Sequence, residues 1–389
     1  MNTAWKSVKL GDIATFSNGV NFGKDAYSSG VKLISVSDFG NRYYPNYSSL
    51  DEIDRNVLRE SDFLKDGDIV FVRSNGNKEL VGRCMLIQNP PCDVTYSGFC
   101  IRARLNDFKD HDPKFYAYYF KSDIFRKSMA NSASGANIQN LNQGLLFKHV
   151  ISLPPIGEQK QIASILSAYD NLIENNNKRI KILEQMAENL YKEWFVRFRF
   201  PGHESTPLEN GIPKGWKVEK TGKFCKIITG KKDANEASGN GLYPFFTCAR
   251  ETNLSTDEYI LDTNAILISG NGSFTGFVKK FSGKFDLYQR TYALYDFIDV
   301  EWLYLYWTFK FEFEREYMGG SHGSAIPYIT KPNIEKFKII VPSKDIQKRS
   351  QEIFEYVHLE CIKLRDENNN LIKQRDLLLP RLMSGKLAV

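Results

Sequence analysis

At 389 residues the chain is too long for one ordinary core, and 42% hydrophobic with 13% aromatic residues excludes a largely disordered protein. The net charge of +6 permits a polyanionic partner without demanding one. Cys84, Cys92, Cys100, Cys225, Cys248 and Cys361 form no C-x-x-C pair and the histidines are scattered, so no metal site is expected. No basic-then-apolar leader opens the chain and no stretch reaches the roughly 18 apolar residues that cross a bilayer, which predicts a cytoplasmic protein with no membrane contact.

Residues 1–154 alternate short β-rich runs such as DIVFVRS with Gly/Asn/Ser turns and then give an aromatic helix, FYAYYFKSDIFRKSM; they predict a mixed globule. Residues 155–200 predict one long helix. Leu166, Ile173, Ile180, Ala187 and Trp194 recur every seven residues, with Ile162, Tyr169, Asn176, Leu183 and Leu190 as the matching set. VRFRFPGHESTPLENGIPKGW reads as a linker, and residues 201–342 hold it and a second globule ending in EWLYLYWTFKFEFEREYM. Residues 343–389 return to heptads, with Val357, Leu364, Leu371 and Leu378 against Phe354, Cys361, Asn368, Arg375 and Leu382.

The second half repeats the first. Trp5, Lys9, Gly11 and Gly19 recur at an offset of 211, which also pairs GVKLISVSDF with GLYPFFTCAR. DIVFVRSNGN (68–77) pairs with NAILISGNGS at 196, and residues 112–159 pair with 300–347 at 188. The expected fold is therefore α+β: two similar globules separated by two long helices paired as an antiparallel coiled coil, related by a pseudo-twofold internal repeat. A helix of some 40 residues is about 60 Å long, enough to separate two heads. Asn176 and Asn368 each interrupt a stripe, as register-setting asparagines do.

ISLPPIGEQKQIASILSAYDNLIENNNKRIKILEQMAENLYKEWFVRFRF, the restart NGIPKGWKVEKTGKF, the ending NNNLIKQRDLLLPRLMSGKLAV and the opening WKSVKLGDIATFSNG together resemble the specificity subunits of type I restriction-modification systems, from one end of the chain to the other. The resemblance implies two target-recognition domains, each reading one half of a bipartite double-stranded DNA site, with the helices as ruler. It implies two methyltransferase subunits as partners and, for cleavage, two motor-nuclease subunits. S-adenosylmethionine would belong to the first kind of partner, ATP and Mg to the second, and no cofactor to this chain. The second copy departs from the pattern at VPSKDIQKRS, where Ile346 stands in the place of Glu158, which puts the capping of the last helix in question.

Two other functions compete, a self-sufficient DNA adenine methyltransferase and a scaffold with no DNA role. Asn89-Pro90-Pro91-Cys92 is similar to the N-P-P-aromatic motif of amino-methyltransferases, but cysteine replaces the aromatic and no glycine-rich cofactor loop precedes it, so a turn between strands is expected. The loop from Gly270 to Gly276 lacks the Lys-Ser/Thr pair of a phosphate-binding loop. Glu158-Gln-Lys160 has no further acidic ligand to make a nuclease centre. No catalytic residue is expected.

Base reading needs polar side chains on loops that enter the major groove. In the first copy the candidates are Arg42, Tyr43 and Tyr44; Arg73, Ser74, Asn75, Asn77 and Lys78; and Ser134, Asn137, Gln139 and Asn140. In the second, the repeat points to Arg250, Ser269, Asn271, Ser273, His322 and Ser324, with Lys231, Lys232, Lys279 and Lys280 for phosphates. These loops differ between the copies where the frameworks agree, as two heads for different half-sites require.

Overall fold

The computed structural model describes residues 5–40, 43–73, 81–132, 141–318 and 328–389, and the chain divides into two compact units, residues 1–175 with 367–389 and residues 176–366. The division runs through both long helices because each half-helix packs on its own globule. The spacer segments 155–200 and 343–389 are thus each shared between the units.

Unit 1 contains β1 (Lys6–Lys9), α1 (Leu10–Ile13), β2 (Ala14–Asn18), β3 (Tyr27–Ile34), β4 (Asp51–Ile53), β5 (Ile69–Val72), β6 (Cys84–Leu86), β7 (Val94–Tyr96), β8 (Cys100–Leu105), α2 (Pro113–Lys121), α3 (Asp123–Ser132), α4 (Gln143–Lys148), β9 (Val150–Leu153) and the first part of α5 (Ile156–Tyr191). One antiparallel sheet has the order β2-β8-β5-β6 and another β4-β3-β7, with β3 parallel to β7; β1 pairs with β9. The unbroken apolar run of β5 is buried on both faces, as a central strand requires. Ile69 and Phe71 join the core beneath α2, and Val70 and Val72 join the core beside β7. Helix α2 starts where the Asp112 side chain accepts the Phe115 N–H at 2.9 Å and Pro113 supplies a helical φ without needing a hydrogen bond.

Unit 2 follows the linker hairpin β10 (Leu208–Glu209) and β11 (Ile212–Pro213), turned by Asn210 and Gly211, both at positive φ, as a two-residue hairpin loop needs. It contains β12 (Lys217–Lys220), β13 (Lys226–Thr229), β14 (Tyr243–Phe246), β15 (Leu254–Thr256), β16 (Leu261–Ser269), β17 (Val278–Leu287), β18 (Thr291–Tyr295), α6 (Trp302–Thr308), α7 (Glu314–Met318), α8 (Lys331–Lys336), β19 (Lys338–Val341) and much of α9 (Lys344–Met383). Its sheet order is β13-β18-β16-β17-β14-β15, and β12 pairs with β19. This is the unit 1 topology with one change: the ten-residue β17 runs unbroken where unit 1 has β6 and β7. The interruption holds Asn89-Pro90-Pro91-Cys92, so the motif is a turn between strands, with Asn89 in the left-handed region and its N–H on the Asp66 carboxylate at 2.7 Å.

Strand pairing corrects the repeat alignment by one residue in two blocks. Ile69 pairs with Ala103 as Ile266 pairs with Leu294, and the burial parity agrees: Ile69 and Phe71 lie beneath an aromatic helix, as do Ile266 and Ile268. Block 68–77 therefore maps at 197, and β3 maps on β14 at 212 by the same test. A one-residue slip exchanges the two faces of a strand, so Val72 corresponds to Ser269 and Arg73 to Gly270. The offset of 211 holds at Gly19 and Gly230. A Cβ on either would lie within 2.4 Å of a backbone carbonyl oxygen, that of Ser97 or Leu287.

The helices are antiparallel partners within each unit. In unit 1, Ile162 and Leu166 of α5 share a core with Leu379, Leu382 and Met383 of α9, and Arg375 pairs with Asp170 at 2.6 Å. In unit 2, Ile180 and Ala187 share a core with Phe354, Val357, Cys361 and Leu364, and Arg365 pairs with Glu184 at 2.6 Å. Tyr169, Ile173, Leu183, Leu190, Trp194, Leu371 and Leu378 are half-buried along the same stripes, and Asn176 and Asn368 are buried. After Tyr191 the first helix widens into a π turn, Lys192–Val196, and α6 runs into another, Phe309–Phe313; the buried Tyr191 hydroxyl joins the two by donating to Glu312 at 2.9 Å.

Both helix entries are built alike. Gln159 donates to the Pro154 carbonyl and accepts from the Asp112 N–H; Gln347 donates to the Pro342 carbonyl and accepts from the Glu301 N–H, all at 2.9–3.1 Å. The departure at Ile346 leaves this knot intact. Ile346 is buried in the unit 2 core, whereas Glu158 accepts from the Trp5 indole at 3.2 Å.

His149 and His358 are buried and pushed down to about 4, His149 by burial beside Tyr119 and Ser128, His358 by burial and then by the charges of Lys280 and Arg365. A histidine held neutral in the fold contributes stability that is complete above its unfolded value, about 6.5, and is lost as pH falls toward 4. Denaturant unfolding at pH 5.0 should show a loss of about 2 kcal/mol per histidine relative to pH 7.5. His149→Gln and His358→Gln should each flatten that dependence.

Candidate nucleic-acid interface

In unit 2 several loops converge where β16 ends and β18 begins. The Gly270 N–H donates to the Arg290 carbonyl at 2.9 Å, and the Gly270 carbonyl accepts from Ile329 at 2.7 Å. Cys248 Sγ donates to the Arg290 carbonyl, and the Cys248 carbonyl accepts from the Ser269 hydroxyl. The loops 247–252, 270–277 and 288–290 and the start of 328–330 thus form one cluster. The 270–277 loop is closed by the Ser269–Phe277 backbone pair, turns at Gly272 and Gly276 at positive φ, and leads into β17 rather than into a helix. It is a hairpin loop, not a phosphate-cradling one.

The four candidate lysines of unit 2 divide by environment. Lys231 is exposed. Lys232 is held by Asp286 at 2.8 Å and Glu258 at 3.1 Å. Lys279 reaches across to the Ala249 carbonyl at 2.7 Å, fastening the 247–252 loop, and burial lowers its pKa. Lys280 points the other way along β17, with its ammonium 4.5 Å from the Tyr306 ring and 5.4 Å from that of Trp307, where burial pushes it down to about 8. Ser269 is 3% exposed, as its correspondence to Val72 demands. Asn271 is half-buried and bridges to Tyr328, while Ser273 and Arg250 are exposed.

In unit 1 the same junction is made by Arg73, whose N–H donates to Phe99 and whose carbonyl accepts from Leu141, both at 2.8 Å. Phe99, 62% exposed at the β7–β8 turn, is a surface aromatic that the sequence reading overlooked; its position in the turn TYSGFC was the available signal. Arg42, Ser74, Asn75, Asn77, Lys78, Ser134, Asn137, Gln139, Asn140, His322 and Ser324 lie outside the described residues. Tyr43 sits elsewhere. It is 8% exposed, with its ring 4.4 Å from that of Tyr118, the Lys121 ammonium 3.9 Å from its centroid and the Arg375 guanidinium at 5.6 Å. Tyr44 is half-buried beside it, its hydroxyl pushed up to about 12 by burial. Tyr43 thus packs between α2 and α9, and Tyr44 packs against the same unit 1 core.

The model of the type I restriction modification DNA specificity domain matches residues 2–185 and 213–374, one match over each copy. The chain belongs to this family. It is 36% identical over 180 residues to the EcoDI specificity subunit of Escherichia coli, a match covering 45% of this chain and 39% of that protein. It is 28% identical over 348 residues to the putative MjaX specificity subunit of Methanocaldococcus jannaschii, covering 83% and 79%. The crystal structure of the type I restriction-modification S subunit from M. genitalium shares the fold, with a TM-score of 0.59 at 18% identity over 98% of this chain and 97% of that one.

Because Lys280 is committed to two rings and Lys231 is exposed, with no carboxylate partner among the described residues, they should separate in a salt titration. Lys231→Met should reduce the slope of log affinity for duplex DNA against log salt by about one, and Lys280→Met should leave it unchanged.

Proposed function

We propose that this chain is the non-catalytic DNA-reading subunit of a cytoplasmic type I restriction-modification assembly, with each unit reading one half of a bipartite site in the major groove. The observation that carries the proposal is the pairing of one framework with two loop sets. The strand order, the glutamine knots and the close-approach glycines recur, while the positions of Arg73 and Phe99 at the loop junction of one unit are taken by Gly270 and Arg290 in the other. A shared scaffold with different polar loops supports two different half-sites. The paired helices would set the spacer.

The helices also supply docking surface. Ile165, Leu172, Ile372 and Leu377 in unit 1, and Ile182, Met186, Tyr356 and Leu359 in unit 2, are exposed apolar side chains on α5 and α9. Apolar residues on otherwise polar helices suit protein partners, in this reading two methyltransferase subunits carrying S-adenosylmethionine. Two motor-nuclease subunits using ATP and Mg would complete the assembly. The Asn89–Cys92 motif lies in the connection between β6 and β7 and has cysteine where a base-stacking aromatic is needed, which favours this reading over a self-sufficient methyltransferase.

Modified-base sequencing of the host with and without the gene should show one split motif losing methyladenine on deletion; an unchanged pattern together with no methylation by the purified assembly would overturn the reading. Met186→Glu with Leu359→Glu should weaken capture of the methyltransferase subunit at least tenfold, measured by analytical ultracentrifugation, without shifting the melting temperature.

A further inference from the structure

Among the basic side chains at the unit 2 loop cluster, Lys231, Arg250 and Arg290 are exposed, and of these three Arg250 is the one whose charge lies over aromatic rings among the described residues. Lys232 is neutralised by two carboxylates, Lys310 by Glu314 at 2.7 Å, and Lys279 is spent on the backbone of the 247–252 loop. Arg250 is exposed and, among the described residues, pairs with no carboxylate. Its guanidinium lies 4.9 Å from the Phe274 centroid and 5.7 Å from that of Phe277, so two aromatic rings of the 270–277 loop restrain it. The loop that carries it is itself tied down. Lys279 holds Ala249, and Cys248 is bonded to the ends of both β16 and β18 through Ser269 and Arg290.

A phosphate contact does not need such support, because a mobile lysine or arginine finds an anion anywhere along the backbone. Recognition of a base edge does, since a planar fork must meet two acceptors at fixed spacing. We propose that Arg250 is a specificity-determining residue of unit 2 that reads one guanine of its half-site through O6 and N7, with Phe274 and Phe277 as its rigid mount. The proposal rests on the DNA-reading function above and names the base class for one side chain.

The test uses the complete chain assembled with its methyltransferase subunits and a pool of DNA duplexes randomised across the second half-site, with bound fractions sequenced at several salt concentrations. Wild type should select guanine at one position that both Arg250→Ala and Arg250→Lys lose, by roughly ten- to a hundredfold in preference, with the other positions unchanged. Arg250→Lys keeps the charge but not the fork, so its overall affinity and salt slope should stay near wild type. Uniform weakening of every sequence by Arg250→Ala, with the motif intact and the slope lower by about one, would assign Arg250 to a phosphate and overturn the proposal. An unchanged motif and affinity would remove Arg250 from the interface. Absence of any sequence preference in wild type would instead overturn the DNA-reading function itself. Phe274→Leu provides a check on the mount: preference for the guanine should fall without loss of general affinity.

Discussion

Each unit completes its core with a half-helix that reaches it from outside its own globule sequence. In unit 1 Leu379, Leu382 and Met383 from the end of the chain fill the space beneath α2, and in unit 2 Ile180, Ala187 and Tyr191, which precede the second globule, do the same beneath α6. Each leucine, isoleucine or methionine among them contributes roughly 1.5–3 kcal/mol by leaving water, so neither globule is self-sufficient in apolar contacts. The seam between α5 and α9 is therefore part of both cores as well as a connector. Its charged members are placed accordingly. Asp170 and Arg375 are largely buried, and Tyr118 donates to the same carboxylate, which keeps both charges paired where little solvent reaches them.

On that common base the two copies solve local problems differently. Unit 1 ties Trp5 to Glu158, while unit 2 buries Trp216 among Phe195, Phe198 and Phe200 and fills the position of Glu158 with Ile346. Unit 1 breaks the strand that unit 2 runs through as β17, and the two prolines of the break explain why: they lack the N–H groups a ladder needs. After the aromatic helix, unit 1 stops at Ser122, whose hydroxyl donates to the Tyr119 carbonyl, and unit 2 inserts a π turn instead. None of these differences disturbs the strand order.

The framework holds the unit 2 loops still. The unit 2 cluster is bonded internally by backbone pairs at Gly270, Ser269 and Ile329 and by the Lys279 bridge, so its exposed side chains start from fixed positions. Pre-ordering of this kind lowers the entropy lost on binding. It also separates roles along a single strand. Lys279 and Lys280 are neighbours on β17, and the alternation of a strand sends one to the 247–252 loop and the other under α6.

Read without coordinates, the sequence determined the duplication, the heptad stripes with their two asparagines, the linker turn and the strand-breaking role of Asn89–Cys92, because each is a periodicity or a backbone constraint carried by residue type. It also placed Gly19 opposite Gly230 and Gln159 opposite Gln347. Tertiary structure alone decided the strand register, which corrected two repeat offsets by one residue, and with it which side of a strand Ser269 faces. It decided that Tyr43 packs against Tyr118 and Arg375, residues 75 and more than 300 positions away, and that Arg250 stands on Phe274. The physical reason is the same in each case. A polar or aromatic residue in a Gly/Asn/Ser-rich loop has the same local signature whether it faces solvent or a partner distant in sequence, and only the packed partner distinguishes the two.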